Sequence, residues 1–257
     1  MEHTGRIRYL RDPEGQVEVI LCRNSGISYP LHNHVSVFTA GMVLEGSIRL
    51  TVGGSARVLQ VNEPFLIPPY APHSMEAAGR YTLMSICVGR EALERGGTEG
   101  TAALLRRLLP EKDREITGGR LLELADRLDR WRDGLRSPPG DAFVAPLRRR
   151  LEQFPERPCS VGELAGAAML SKYHFIRKFK QEVGLTPHQF QMPNRVRKAQ
   201  RLLADTETMT EAALAAGFCD QSHFIRVFKR YVGLTPAVYQ ASCAWMEAVL
   251  PLSTGRG

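Results

Sequence analysis

A chain of 257 residues that is 43% hydrophobic and 24% charged has the apolar content for folded cores and the length for two domains, which excludes a disordered or fibrous protein. Its five cysteines (22, 87, 159, 219 and 243) are odd in number and hold no Cys-x-x-Cys pair, which argues against a disulfide framework or a structural zinc site and suits a reducing cytosol. The formal net charge of +7 is uneven: residues 158–257 carry 12 Lys/Arg against 7 Asp/Glu, and residues 1–157 carry 22 against 20, so a polyanionic partner is expected at the C-terminal end.

The first 15 residues are charged throughout and do not read as a secretory leader. The longest uncharged run, Asn24 to Leu44, contains Pro30, two histidines and Gly41, so no membrane span is expected, and the location expected is cytoplasmic. Residues 1 to about 90 are strand-like. Short apolar or alternating runs cover Val17–Cys22, Val35–Phe38, Met42–Leu44, Ile48–Val52, Ala56–Leu59, Phe65–Ile67 and Tyr81–Val88. Turn residues such as Asn24-Ser-Gly, Glu45-Gly and Gly53-Gly-Ser separate them, which predicts a closed or sandwiched β architecture.

Two segments within it carry possible chemistry. Gly26-Ile-Ser-Tyr-Pro-Leu-His32-Asn-His34 places two imidazoles at alternate positions, which on a strand face the same way. Pro64-Phe-Leu-Ile-Pro-Pro-Tyr-Ala-Pro-His73 adds a third histidine. Three imidazoles could hold Zn²⁺, Ni²⁺ or Cu²⁺, or could line a small-molecule site through hydrogen bonds, and both readings stand. Tyr29, Phe38, Phe65, Tyr81 and Met84 are core candidates beside them. Cys22 and Cys87 read as small buried apolar residues.

Residues 91–136 change to helical period. Leu121, Leu124, Leu128, Trp131 and Leu135 fall at heptad-like spacing, a seam for a twin helix or for the chain's own β domain. Ser137-Pro-Pro-Gly140 breaks the pattern, Phe143 to Phe154 suits a further helix, and Pro155-Glu-Arg-Pro158 reads as a linker.

The last hundred residues contain one pattern twice. The fourteen residues from His174 to Pro187 return from His223 to Pro236 with eleven identities at an offset of 49. Phe175, Phe179 and Val183 make one helical stripe, and Phe224, Phe228 and Val232 repeat it. Gly184 and Gly233 suit left-handed C-caps, and Thr186-Pro187 and Thr235-Pro236 suit the start of a next helix. A short helix precedes each unit, so each copy reads as a helix-turn-helix whose second helix enters the major groove. From Lys172 to Arg201 there are eight Lys/Arg and one acid, as phosphate neutralisation requires. Pro193 predicts a kink or restart in the connecting helix.

Leu164-Ala165, Ser171, Arg177, Phe179-Lys180, Gly184, Thr186-Pro187, Arg195, Ala199 and Leu202-Leu203, with Gly217-Phe218, Gln221-Ser222, Phe224, Arg226, Phe228-Lys229, Gly233, Thr235-Pro236 and Tyr239, resemble the DNA-binding domain of AraC/XylS-type transcription regulators. The two histidine segments resemble the motifs of the sensory cupin found ahead of such domains. In metal cupins a glutamate four or five residues past the second histidine completes the site. Phe38 and Thr39 stand there, and Glu45 falls at a turn.

The resemblance implies a multidomain α+β chain: a cupin-like β-barrel sensor over 1–92, a helical dimerisation segment and linker over 93–157, and an all-α double helix-turn-helix domain over 158–257. It implies a sequence-specific regulator, more often an activator, that is not an enzyme. Its partners would be double-stranded DNA, a second copy of itself, a small-molecule or metal effector, and RNA polymerase if it activates. A metal-dependent cupin enzyme fused to a DNA-binding module is the alternative. Base contacts are expected from Lys172, Tyr173, Ile176 and Arg177 and from Gln221, Ser222, Ile225 and Arg226. Phosphate contacts are expected from Lys180, Arg195, Lys198 and Lys229.

Overall fold

A computed structural model describes residues 6–11, 17–35, 37–89, 119–132, 144–158, 160–205 and 208–247. Nine strands run through the N-terminal part: β1 (Arg6–Arg11), β2 (Val17–Ser25), β3 (Tyr29–His32), β4 (Val37–Glu45), β5 (Ile48–Val52), β6 (Ser55–Leu59), β7 (Pro64–Ile67), β8 (His73–Ala77) and β9 (Tyr81–Gly89). They form two antiparallel sheets, in the orders β1-β2-β9-β4-β7 and β3-β8-β5-β6. Among the described residues no backbone ladder joins the two sheets, so the cupin-like unit is a face-to-face sandwich. β4 fuses two of the expected runs into one strand. Ala40-Gly41 is weak in β-propensity, but β7 and β9 pair with it on both sides.

β4 and β9 are buried along nearly their whole length. Ile48, Leu50, Phe65, Tyr81 and Leu83 fill the space between the sheets. The outer face of β4 and β9 is covered by helix α1 (Arg120–Arg132), whose Leu124, Ala125 and Leu128 are fully buried against residues including Phe38, Met42, Met84 and Ile86. Of the two surfaces expected for this seam, the chain's own sheet is the one that Leu124 and Leu128 cover, and their side chains are fully buried there. Leu121 and Trp131 lie on the helix without described side chains, and Leu135 is outside the described residues.

Helix α2 (Ala145–Gln153) leads to six further helices: α3 (Val161–Ala167), α4 (Lys172–Val183), α5 (Pro187–Asp205), α6 (Met209–Ala215), α7 (Gln221–Val232) and α8 (Pro236–Glu247). Phe175 and Phe179 of α4 pack with Leu164, Ala165, Leu185 and Phe190 in one core. Phe224 and Phe228 of α7 pack with Ala212, Ala213, Phe218, Ala199, Leu203 and Tyr239 in another. That second core runs without a break into the interior of the sandwich.

α5 joins the two units as one continuous helix with Pro193 inside it, so the expected restart is absent. A buried proline costs a helix about 3 kcal/mol or more. Here Phe190, Val196 and Ala199 anchor α5 in both cores, and the Asn194 side chain donates to the Phe190 carbonyl at 2.8 Å.

Candidate nucleic-acid interface and histidine chamber

The two reading helices are built alike. Ser171 caps α4 by accepting from the His174 N–H, and Asp220 caps α7 by accepting from the His223 N–H at 2.6 Å. Gly184 (φ +77°) and Gly233 (φ +82°) end them in the left-handed conformation. With the phenylalanines turned inward, the opposite faces are free. Lys172, Tyr173, Arg177 and Lys180 are exposed on α4, as are Gln221, Ser222, Arg226 and Lys229 on α7, while Ile176 and Ile225 are half-buried between them. Tyr173 is 76% exposed, and Met169, in the turn before α4, is 94% exposed at φ +52°. Folding accounts for neither. Sequence pattern picked out Tyr173 but not Met169, because a lone turn residue leaves no periodic trace.

Two residues expected at phosphates, Arg195 and Lys198, have partners within the fold. Arg195 donates to the carbonyls of Pro155 and Gly217, each at 2.7 Å, and to that of Arg157 at 3.5 Å. Lys198 pairs with Glu156 at 2.9 Å. Both tie the linker and the second turn to α5. A basic run marks a face in sequence, but it does not say which cations turn inward to bind carbonyls.

The three histidines come together from two strands of the smaller sheet. His32 ends β3 and pairs across the ladder with His73, which begins β8; His34 follows two residues on. Ring centroids lie 4.2 Å (His32–His73), 4.8 Å (His34–His73) and 5.1 Å (His32–His34) apart. One nitrogen from each lies within 4.8 Å of the others. Nδ1–H of His32 donates to the Pro30 carbonyl (2.7 Å) and that of His73 to the Ala71 carbonyl (2.9 Å). His34 Nδ1 lies 3.0 Å from the Thr39 hydroxyl, which in turn lies 3.5 Å from the Cys87 thiol. With Nδ1 engaged as donor to a carbonyl, Nε2 of His32 and of His73 keeps its lone pair, the tautomer a metal ligand needs.

Burial, reinforced by the neighbouring imidazoles, lowers His32 to about 3 and His34 well below the usual range, and burial lowers His73 too. All three are neutral near pH 7 and ready to accept. Thr39, at one of the positions where a metal cupin has glutamate, thus supports His34 from behind. Glu45 is remote, accepting from Thr82 at 2.6 Å. The donor set fits a borderline metal ion held by imidazole.

A cavity of about 110 Å³ opens from the histidines into the sandwich, lined by Ile20, Tyr29, Phe65, Met75, Tyr81 and Leu83 among others. Phe38 and Met84 belong instead to the face under α1.

A second, smaller cavity of about 70 Å³ lies where the sandwich meets α5 and α7. Its walls include Glu18, Asn33 and Arg197, none of which the motifs marked. Glu18 is 2% exposed and pairs with Arg11 (3.4 Å) and with Arg197 of α5 (3.2 Å). The signal was an acid inside the apolar run Val17–Cys22. The Asn33 amide is 1% exposed, and neither of its polar atoms has a partner. Tyr231 of α7 lines both cavities, its ring 5.7 Å from His32.

Residues 22–89 match the cupin domain family and residues 164–242 the helix-turn-helix domain family. The chain therefore carries a helix-turn-helix domain with a cupin domain in front of it. Among curated relatives, the HTH-type transcriptional regulator MtrA of Neisseria gonorrhoeae is 30% identical over 116 residues, which is 45% of this chain and 34% of that protein. The regulatory protein Ada of Salmonella typhimurium is 39% identical over 79 residues, 31% of this chain and 22% of that protein. The chain spans about a third or less of the length of the curated relatives it matches. The two-domain fold is shared with ToxT of Vibrio cholerae, at TM-score 0.56 over 95% of this chain and 99% of that one, with 13% identity. No helix among the described residues is long and apolar enough to cross a membrane.

Proposed function

We propose that the protein is a sequence-specific DNA-binding transcription regulator whose cupin domain binds a divalent transition metal ion. One observation carries the DNA half: two helix-turn-helix units with the same caps and buried phenylalanines expose different polar fronts. Arg177 and Arg226 address guanine, Gln221 adenine, and Ile176 and Ile225 thymine methyls. Lys172, Tyr173 and Ser222 complete the base-facing set, and Lys180 and Lys229 hold phosphates. Residues 1–92 act as the sensor, 93–157 as connecting segment and 158–257 as the reader, in the cytoplasm. Function as a homodimer places the contact elsewhere than Leu124 and Leu128. Activation, with RNA polymerase as partner, follows the family's commoner mode.

The tautomer-fixing carbonyls behind His32 and His73 support the metal half. His32, His34 and His73 would hold the ion, whose bound state adds a fixed positive charge in the chamber. Catalysis is not part of this proposal, since the fourth protein ligand of the enzyme-type site is replaced by Thr39. A second reading takes the apolar walls of Tyr29, Phe65 and Leu83 as a seat for an apolar small molecule. ToxT, alike in fold, has been crystallised with an unsaturated fatty acid bound.

Calorimetric titration of the full chain with Zn²⁺ tests the metal half. One site lost in His32→Ala and His73→Ala supports it. No binding to the parent ends it and leaves the small-molecule reading.

A further inference from the structure

We infer that Tyr231 makes the three-histidine chamber a two-domain site, in which the second reading helix itself touches whatever the histidines hold. This rests on the metal reading above. Tyr231 is one of three positions at which the repeated fourteen residues differ: Glu182 stands there in the first copy. The Tyr231 ring stands edge-on to His32 at 5.7 Å and lines the cavity that holds His32, His34 and His73. The end of α7 is fixed in that place. Tyr9 donates its hydroxyl to the Val232 carbonyl at 2.6 Å, in a buried bond. A Cβ on Gly233 would lie 2.8 Å from Ile7 Cδ1 and 2.9 Å from Tyr29 Oη, so the helix terminus is seated on the sandwich without clearance.

Arg226 lies five residues earlier on the same helix, about 7.5 Å along its axis at 1.5 Å per residue. Ligand contact and base contact therefore share one rigid element, with no intervening relay. His32 and His73 would hold the ion, and a shift of either ring on binding would reach α7 through Tyr231. Among the described residues no side chain of the first copy lines that cavity. Its Gly184 lies against Pro72, with a Cβ placed 2.5 Å from Pro72 Cγ. Occupancy then alters the second half-site more than the first.

The test uses the full chain, with Co²⁺ as a spectroscopic probe and fluorescence anisotropy on the protein's strongest mapped DNA site. In the parent, Co²⁺ is expected to change DNA affinity by roughly 5-fold or more, the lower end of ordinary coupling. DNA must change Co²⁺ affinity by the same factor. Tyr231→Ala is expected to keep Co²⁺ on the histidines, shift its visible absorption bands, and reduce the coupling to under about two-fold. Tyr231→Phe, which keeps the ring, is expected to retain the coupling. Tyr231→Leu replaces the alanine variant if that does not fold, with the same expected loss. Unchanged coupling and spectrum in Tyr231→Ala or Tyr231→Leu overturn the inference while the metal reading survives. A parent that binds no Co²⁺ overturns both, and the parent titration identifies that case by itself.

Discussion

The two reading helices began as copies and are no longer in the same situation. Both are the same object: a capping Ser or Asp at the start, two buried phenylalanines, a left-handed glycine at the end. Three letters differ. Lys178, Gln181 and Glu182 in α4 become Val227, Arg230 and Tyr231 in α7. Val227 and Tyr231 pack, half-buried, on the core that runs into the sandwich. Divergence within the repeat therefore has two addresses. Residues before the shared stretch, Lys172-Tyr173 against Gln221-Ser222, suit different bases. Residues inside it bring only the second copy's Tyr231 to the histidine chamber.

That contrast can be broken at several strengths. The scaffold should be equally important in both copies, so Phe179→Ala and Phe228→Ala should each cost about 3–5 kcal/mol in urea unfolding of the full chain. A difference between them above about 2 kcal/mol would mean the two cores are not equivalent. Next come the fronts. Arg177→Ala and Arg226→Ala should each weaken specific DNA binding by roughly 1–3 kcal/mol, with base preference relaxed at a different position in each case. Quantitative competition with single-base operator variants reads this out. The smallest effect belongs to the seam: Tyr9→Phe removes the donor to the Val232 carbonyl and should cost about 1 kcal/mol of stability, while the equivalent end of α4 is untouched.

Acid probes the sensor side. His32, His34 and His73 are held below their unfolded value of about 6.5. Between that value and the folded one, about 3 for His32, the unfolded chain binds more protons, so stability rises with pH. The contribution is complete above about pH 6.5 and is lost as pH falls below it. The urea midpoint should drop from pH 7 to pH 5, and His32→Phe combined with His73→Phe should flatten that part of the slope. An equal drop in the double variant would assign it to other groups.

The readers were almost wholly legible in the sequence, and the sensor only partly. Caps, glycine stops and the aromatic stripe are local, so fourteen residues suffice to specify them, and their duplication doubles the signal. The strands that carry the histidines were not found. β3 includes Pro30 and is four residues long, and β8 begins on a histidine and includes Glu76, so neither shows an apolar run. The histidines were identified by motif, but their support by Pro30, Ala71 and Thr39 depends on a ladder that only the folded sheet sets. Leu124 and Leu128 stand out in the sequence as an apolar seam, but periodicity does not say which surface buries it. Arg195 and Lys198 show the same limit for charge. Both face α5's own surroundings, although the run around them looks uniformly basic.

Footprinting of the full chain on its strongest genome-mapped site is the most direct test of the paired, non-equivalent readers. Two protected major-groove segments about one turn, or roughly 34 Å, apart on one face of the duplex are expected. Arg177→Ala should weaken protection of one and Arg226→Ala of the other. A footprint unchanged by either variant would contradict the account.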